Sequence, residues 1–235
     1  MQNNIQELKN AFNTGKKLQI KLLGDSITHG VGGSGFAQDG EPIVAGWARN
    51  PNGFCWAKLL KEYLETEYSC CVINNACTGT NIEFMLHHLD TLIDEKDDFI
   101  LCTIGTNNRH QYFHEGEKKT REELGKVFYE NVLKLNDEFE TRGKKVIFMA
   151  NIPAAKANEQ DGGDFWRILH MDDINAIYKR AQEKTGFTLI SLYDLFDLHL
   201  AENGLKLDAL LCDGLHPNDT GYKVMFEIIK QTLGL

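Results

Sequence analysis

The sequence predicts an α/β fold: a central parallel sheet of five strands with helices packed against both of its faces. Five short apolar runs recur along the chain, which is typical of strands that are covered on both sides. Stretches with apolar residues at helical spacing alternate with these runs, as expected for strand–helix–strand units. Because 42% of the 235 residues are hydrophobic, the chain can bury a sizeable core, and we expect residues 1–235 to form one domain.

The predicted elements follow one another without internal repeats or low-complexity linkers. The predicted strands are Leu18–Leu23, Cys71–Asn75, Phe99–Ile104, Lys145–Ile152 and Thr188–Ser191. The predicted helices are Phe54–Tyr68, Ile82–Ile93, Leu124–Phe139, Ile168–Lys184 and Tyr222–Leu233. Residues 30–52 and 153–164 form two irregular stretches, and loops at one edge of such a sheet usually carry its chemistry.

Composition and charge disfavour several classes of partner. A formal net charge of -9 without a basic patch disfavours nucleic-acid binding. The N-terminal residues lack the basic and apolar segments of an export signal, and no apolar run is long enough to cross a bilayer. None of the six cysteines forms a C-x-x-C pair, so we expect buried thiols in a reducing compartment. We therefore expect a cytoplasmic protein without a nucleic-acid or membrane partner, and the sequence indicates no particular oligomeric state.

A candidate nucleophile lies directly after the first predicted strand. Ser26, in Gly24-Asp25-Ser26, would stand at the carboxyl end of that strand, the edge at which open α/β sheets bind ligands. We expect Gly24 to permit a tight turn, with the backbone amides beyond it facing a developing oxyanion. A serine here can also simply cap a turn. Thr28 stands where G-x-S-x-G requires its second glycine, which disfavours the nucleophile elbow of α/β-hydrolases.

A candidate base and its orienting carboxylate lie near the C-terminal end. Asp213 and His216 are three positions apart, and a turn at Gly214 can bring the carboxylate onto the imidazole. Pro217 suits the first position of a helix, so we expect His216 to stand just before the last one. Taken alone, Asp213 could be a turn residue and His216 a surface histidine. Together with Ser26 they predict a serine hydrolase in which His216 accepts the serine proton.

Four separate blocks of the chain resemble those of the SGNH hydrolases, also called GDSL esterases, and occur in the family's order. They are Gly24–Thr28, with Ile27 where the family often has leucine, Asn74–Gly79, Gly105–Asn107 and Asp213–His216. The resemblance implies a flavodoxin-like three-layer α/β/α sandwich. It also implies an oxyanion hole formed by the backbone N–H groups of Ser26 and Gly79 and the side-chain amide of Asn107. From the residues alone, Gly79 could instead end a turn and Asn107 could cap the next segment.

The reaction that follows is a two-step acyl transfer through an acyl-enzyme, which requires no metal or organic cofactor. By resemblance, the substrate is a small acyl ester, and we favour acetyl groups on a carbohydrate. Hydrolysis of lysophospholipids or thioesters by the same residues is the nearest alternative. A non-catalytic glycan-binding module is an alternative from another class, although such a module would have no use for a positioned nucleophile and base.

Two further motifs favour less specific interpretations. Gly30–Gly35 fits G-x-G-x-x-G, but Gly24–His29 separates it from the first predicted strand, and no helical pattern follows until about Phe54. It is more typical of an active-site loop than of a nucleotide site. His110 and His114 have the i, i+4 spacing of paired metal ligands but lack a third ligand, so we expect no metal.

Five residues are candidates for substrate contact because of where they stand in the sequence. Asp25 adjoins the candidate nucleophile, and Arg109 and His110 lie just beyond the third block. Trp47 and Trp166 lie in or near the irregular stretches, where an aromatic ring could stack on a sugar or line an acyl pocket. Solvated loop positions are the alternative for Arg109 and His110, and core packing is the alternative for the two tryptophans.

Overall fold

The computed structural model describes residues 3–36, 53–110, 119–159 and 167–235, in which a five-stranded sheet lies between two layers of helices. The strands are β1 (Leu18–Gly24), β2 (Cys70–Asn74), β3 (Phe99–Thr103), β4 (Lys145–Ala150) and β5 (Thr188–Ser191). Their order in the sheet is β2-β1-β3-β4-β5, and every neighbouring pair is parallel. This is the strand order of flavodoxin-like sheets, so the predicted fold class is confirmed.

Nine α-helices occur in the described part of the chain. They are α1 (Asn4–Asn13), α2 (Ser26–His29), α3 (Trp56–Glu67), α4 (Ile82–His87), α5 (Leu89–Leu92), α6 (Arg121–Thr141), α7 (Met171–Thr185), α8 (Leu192–Asn203) and α9 (Asp219–Leu233). The single helix predicted over residues 82–93 is divided into α4 and α5 at His88, whose φ of -107° and ψ of 16° leave the helical region. Helices α1, α2 and α8 were not predicted.

The sheet divides the core into two layers because successive side chains of a strand point to opposite faces. Leu22 and Leu101 pack on the side that also holds buried residues of α1, α3, α8 and α9. Their neighbours Leu23 and Cys102 pack on the side of α4, α5, α6 and α7. All four side chains are fully buried. Since both faces are covered, polar chemistry is left to the loops at the strand ends.

The register of the strands brings three loops to one edge of the sheet. Gly24, the last residue of β1, pairs with Thr103, the last residue of β3. On the other side of β1, Leu22 pairs with Asn74, the last residue of β2. The segments that follow these three strands therefore start side by side, and they contain the first three blocks named above.

All six cysteines are free, and they differ in burial. Cys55, Cys77 and Cys102 are buried, as predicted, whereas Cys70 and Cys71 are only partly buried and Cys212 is exposed. Cys212 lies in the loop before α9, outside both core layers, so the prediction of a buried thiol is wrong for it.

Among the described helices, none combines the length and apolarity that a bilayer span requires.

Candidate active site

Gly24 closes β1 where the chain must turn toward the candidate nucleophile. A side chain at this position would collide with the hydroxyl groups of Thr28 and Thr103. The backbone of Gly24 is not in the positive-φ region, so glycine serves the predicted turn here by its lack of a side chain and not by an unusual φ. Glycine is required because the short helix α2 folds back closely over the end of the strand.

Asp25 starts helix α2 and leaves the first amide of that helix available. Its side chain accepts a hydrogen bond from the backbone N–H of Ile27 at 3.0 Å, as an N-cap residue does. Ser26 is the first residue of α2 and is 5% exposed. Its backbone N–H has no acceptor among the residues that the structure describes. An unpaired amide at a helix N-terminus is suited to bind developing negative charge.

A hydrogen-bonded chain joins the candidate nucleophile to the candidate base and its carboxylate. Nε2 of His216 lies 2.8 Å from Oγ of Ser26, although the two residues are 190 positions apart in the sequence. Nδ1 of His216 lies 2.6 Å from Oδ2 of Asp213. The second carboxylate oxygen, Oδ1, accepts from the backbone N–H groups of His216 at 2.8 Å and Leu215 at 3.0 Å. The carboxylate therefore fixes both the backbone and the ring of the histidine.

The loop around His216 differs in one detail from the prediction. Helix α9 starts at Asp219 with Asn218 as its N-cap, so Pro217 stands outside the helix and not at its first position. Pro217 instead forms an isolated β-bridge with Leu211, and the N–H of Cys212 donates to the carbonyl of His216 at 2.8 Å. These bonds close the loop, which explains how His216 is held without being part of the helix.

The charge state of Asp213 follows from its contacts. Partial burial raises the pKa of its carboxyl, but the hydrogen bonds from the backbone and ring of His216 and from Leu215 outweigh this and leave the pKa below the ordinary value. The carboxylate therefore stays ionised at neutral pH. An ionised Asp213 at 2.6 Å can stabilise positive charge that develops on the imidazole of His216.

The other two candidate oxyanion donors, Gly79 and Asn107, lie on two adjacent segments. Gly79 follows β2 and has a φ of 80°, in the left-handed region that favours glycine. The side-chain Nδ2 of Asn107 donates to the carbonyl of Thr80 at 2.8 Å, which holds Asn107 beside Gly79. The N–H of Cys77 donates to the carbonyl of Gly24 at 3.1 Å and so ties the Gly79 segment to the end of β1. The backbone N–H of Gly79 has no acceptor within the described ranges.

The position of Asp25 does not agree with the expectation that this residue contacts the substrate. Its side chain has no exposed surface. Nδ2 of Asn151, the residue directly after β4, donates to the carboxylate at 3.2 Å and to the hydroxyl of Thr106 at 2.7 Å. Full burial raises the pKa of Asp25, and hydrogen bonds from Thr106 and Ile27 oppose the shift. In this position Asp25 links the segments that follow β1, β3 and β4.

Arg109 is also buried, against the expectation that it reaches the substrate. Its guanidinium is 0% exposed and forms an ion pair with Glu159 at 3.1 Å. Its Nε donates to the carbonyl of Thr106 at 3.0 Å, and its Nη2 donates to Oδ1 of Asn158 at 3.4 Å. Burial lowers the pKa of Arg109 to about 10, so it remains charged at neutral pH. The carboxylate of Glu159 compensates this buried charge.

His110 is 7% exposed at the end of the same segment. Burial, together with the charges of Arg109 and Arg167, lowers its pKa to about 4, so the ring is neutral at pH 7. The other predicted contacts, Trp47 and Trp166, lie outside the described residues, as does His114 of the predicted histidine pair.

The glycine-rich loop packs against the segment that carries His216. Gly32 has a φ of 92°, and a side chain there would collide with the carbonyl of Pro217 and the sulfur of Cys212. The hydroxyl of Tyr222 donates to the carbonyl of Val31 at 2.7 Å, which ties the loop to α9. The glycines thus allow close approach of the loops that carry Ser26 and His216, which supports the active-site-loop interpretation.

One described group has the composition of a metal site. Ligand atoms of His170, Asp172 and Asp173 lie within 4.8 Å of one another at the start of α7. Asp173 is already paired with Arg121 at 2.6 Å, and its carboxylate accepts from the backbone N–H of His170 at 2.7 Å. Capping of α7 accounts for the position of Asp173, so the group gives no reason to infer a bound ion.

Sequence reasoning missed two residues that organise the site. Asn151 interrupts an apolar run at the end of β4, and a polar residue at a strand end was the signal that could have identified it. Glu159 pairs with Arg109 over 50 positions, and no local pattern points to that pairing.

The chain is similar in sequence to one protein family and in structure to several solved enzymes. A model of the GDSL-like Lipase/Acylhydrolase family matches residues 22–224. No curated protein matches the chain. The lipase/acylhydrolase from Enterococcus faecalis is 20% identical, with 92% of this chain and 96% of that chain covered and a TM-score of 0.65. An acetyl xylan esterase is 19% identical, with 92% and 99% covered and a TM-score of 0.64.

A third solved structure is a catalytic mutant of an acetylxylan esterase from Geobacillus stearothermophilus. It is 20% identical, with 93% of this chain and 94% of that chain covered and a TM-score of 0.68. An aspartate is replaced in this mutant, and a histidine three positions further on is replaced in a second catalytic mutant of the enzyme. At these identities the structural likeness shows the fold.

Proposed function

Because the chain belongs to the GDSL-like lipase/acylhydrolase family, and is therefore a serine hydrolase that acts on ester bonds, we propose that Ser26, His216 and Asp213 form its catalytic triad. The single observation that carries this proposal is the hydrogen-bonded chain from Asp213 through His216 to Ser26, with distances of 2.6 and 2.8 Å. A nucleophile within reach of a base, which is in turn oriented by a carboxylate, is the geometry that activates serine.

In the first step, Oγ of Ser26 attacks the ester carbonyl while Nε2 of His216 takes the hydroxyl proton. The carbonyl oxygen becomes an oxyanion, toward which the N–H groups of Ser26 and Gly79 and the amide of Asn107 would donate. The C–O bond to the alcohol then breaks, and His216 returns the proton to the leaving oxygen. The alcohol departs and Ser26 carries the acyl group.

In the second step, water attacks the acyl-enzyme and passes a proton to Nε2 of His216. The tetrahedral intermediate is stabilised by the same donors as in the first step. When it collapses, the bond to Oγ of Ser26 breaks and His216 returns the proton to that oxygen. The acid is released and the enzyme regains its starting state.

We propose acetyl groups on carbohydrates as the substrate class. The support is that several solved structures with the same fold are enzymes of this kind, among them two acetyl xylan esterases and an esterase active on acetylated mannans. The replaced aspartate and histidine in the Geobacillus enzyme have the spacing of Asp213 and His216. Lysophospholipid or thioester hydrolysis, or glycan binding without catalysis, would appear as other outcomes of the test below.

The test compares wild type with Ser26→Ala in the hydrolysis of acetylated xylo-oligosaccharides, p-nitrophenyl acetate, p-nitrophenyl palmitate, a lysophospholipid and an acyl thioester. Binding of the xylo-oligosaccharides is measured beside hydrolysis. We expect Ser26→Ala to lower kcat on the acetyl substrates by about 10⁴-fold or more, whereas the matched control Ser69→Ala, at an exposed position, leaves it unchanged. Equal rates for wild type and Ser26→Ala would overturn the assignment of the nucleophile. A preference for palmitate would overturn the proposed substrate class, and glycan binding without hydrolysis would overturn catalysis.

A further inference from the structure

Helix α2 carries the candidate nucleophile at one end and a buried histidine at the other. Ser26 is its first residue and His29 its last, and His29 is 3% exposed. Nδ1 of His29 lies 2.7 Å from the hydroxyl of Thr78, the residue directly before Gly79. A second bond runs in parallel, from Nδ2 of Asn74 to the carbonyl of Thr28 at 3.0 Å. The end of the nucleophile helix is therefore joined directly to the segment that presents the Gly79 amide.

The Gly79 amide belongs to a β-turn whose central peptide can adopt either of two orientations. The N–H of Thr80 donates to the carbonyl of Cys77 at 3.3 Å, which makes residues 77–80 a β-turn. The φ of 80° at Gly79, the third residue, is that of a type II turn. Types I and II differ mainly by a rotation of the central peptide, here the one between Thr78 and Gly79. The turn type therefore decides which of two opposite directions the Gly79 N–H takes.

The outer residues of this turn are anchored by groups other than His29. Cys77 donates its N–H to the carbonyl of Gly24 at 3.1 Å, and the carbonyl of Thr80 accepts from Asn107 at 2.8 Å. Of the two central residues, Gly79 has no side chain with which to be held. The central peptide can therefore be held by a side chain through the hydroxyl of Thr78, and His29 is the hydrogen-bond partner of that hydroxyl.

The chemistry of the two groups suits a permanent contact. Burial lowers the pKa of His29, so its ring is neutral at pH 7 and offers one N–H and one lone pair. A threonine hydroxyl both donates and accepts, so either ring tautomer can bond to it. The ring also packs edge-on against Phe36, with the ring centroids 5.4 Å apart.

We propose that His29 is a positioning residue, which keeps the Gly79 N–H directed at the oxyanion by holding Thr78 in the type II turn. This rests on the proposed function, because it concerns a donor of the same oxyanion hole. In this role His29 acts through Thr78 and not on the reacting atoms themselves. The consequence is that loss of the bond lowers the stabilisation of the transition state and leaves ground-state binding unchanged.

The test separates the hydrogen bond from the packing of the ring. His29→Phe and Thr78→Val each remove the bond and keep the approximate shape, whereas His29→Asn keeps a polar group at the Nδ1 position and Thr78→Ser keeps the hydroxyl. For each variant, kcat and KM on p-nitrophenyl acetate and the inhibition constant of phenylboronic acid, which forms a tetrahedral adduct with serine, are measured beside the melting temperature. Gly79→Ala, which disfavours the positive φ, sets the scale for loss of the donor.

We expect His29→Phe and Thr78→Val to lower kcat by about 10-fold or more, with KM within about two-fold of wild type and phenylboronic acid weakened by the same factor as kcat/KM. The double variant should lose no more than either single variant, because both remove one bond. His29→Asn and Thr78→Ser should retain most of the activity. If His29→Phe does not fold, Thr78→Val decides alone.

Three results would overturn this role of His29. Unchanged kcat in Thr78→Val, a rise in KM without a change in kcat, or additive losses in the double variant would each show that the bond does not orient the amide. In these cases the Ser26-dependent hydrolysis by wild type still stands. Absence of Ser26-dependent hydrolysis in wild type would instead overturn the proposed function, and the positioning role with it.

Discussion

Asp25 and Arg109 show how far the type of a single residue can mislead. Polar residues beside a nucleophile or an oxyanion segment are expected to contact the substrate, yet neither of these two residues has exposed surface. Asp25 contacts Asn151, which is 126 positions away, and Arg109 pairs with Glu159 across 50 positions. Ser26, Asp213 and His216 were identifiable because each has a local signal, a strand end or a fixed spacing. A partner distant in sequence leaves no such signal.

The neutral, buried ring of His110 predicts a dependence of stability on pH. Its pKa is about 4 in the folded protein and 6.5 in an unperturbed chain, so the unfolded chain binds a proton first as the pH falls. Stability contributed by the neutral ring is therefore lost between about pH 7 and 4, with a loss of about 2 kcal/mol by pH 5. His110→Gln removes this titration.

The measurement is the free energy of unfolding in urea for wild type and His110→Gln at pH 7 and pH 5. Other titrating groups cancel in the difference between the two proteins. We expect wild type to lose about 2 kcal/mol relative to the variant between these pH values. A difference that does not change with pH would mean that residue 110 is accessible to protons in the folded state.

At the scale of elements, apolar runs predicted all five strands to within two residues at either end. The runs are clear because both faces of the sheet are covered. Helix α2 has only four residues, too few to show a period. Helix α8 does carry Leu192, Phe196 and Leu200 at helical spacing, a signal that was overlooked beside the adjoining strand. The division between α4 and α5 depends on the backbone at His88, which no apolar pattern reveals.

The turn that contains Glu159 contacts two parts of the site. We therefore expect the charge of Glu159 to have a large effect on the free energy of unfolding. Glu159 neutralises the buried Arg109, while Ala155 of the same turn donates its N–H to the carbonyl of Gly214 at 2.8 Å, between Asp213 and His216. Glu159→Gln leaves a buried guanidinium without its counter-charge. We expect the free energy of unfolding to fall by about 3 kcal/mol.

The matched control for this prediction is Glu138→Gln. Glu138 pairs with Arg142 at 3.2 Å on the surface of α6, with both side chains more than a third exposed. Such a pair contributes about 0.5 kcal/mol or less. Urea unfolding of both variants gives the comparison, and equal losses would show that the Arg109–Glu159 pair has no special importance.

At the scale of the whole molecule, the site depends on the strand order and on the parallel register. Because β1 lies between β2 and β3, the loops that carry Ser26, Gly79 and Asn107 leave the same edge. The alternation of elements predicts a parallel sheet, but the order of its strands came only from the resemblance to a known family. Contacts between residues 190 positions apart depend on that order. That residues 1–235 form one domain stays a prediction.

The central claim is that the fold brings Ser26 and His216 together so that the serine is activated. Covalent labelling by a fluorophosphonate, followed by peptide mass spectrometry, tests this directly because phosphonylation requires an activated hydroxyl. We expect one modification, on the peptide that contains Ser26, and we expect it to be lost in His216→Ala while the variant remains folded. Labelling of another serine, or labelling of Ser26 that persists in His216→Ala, would contradict the claim.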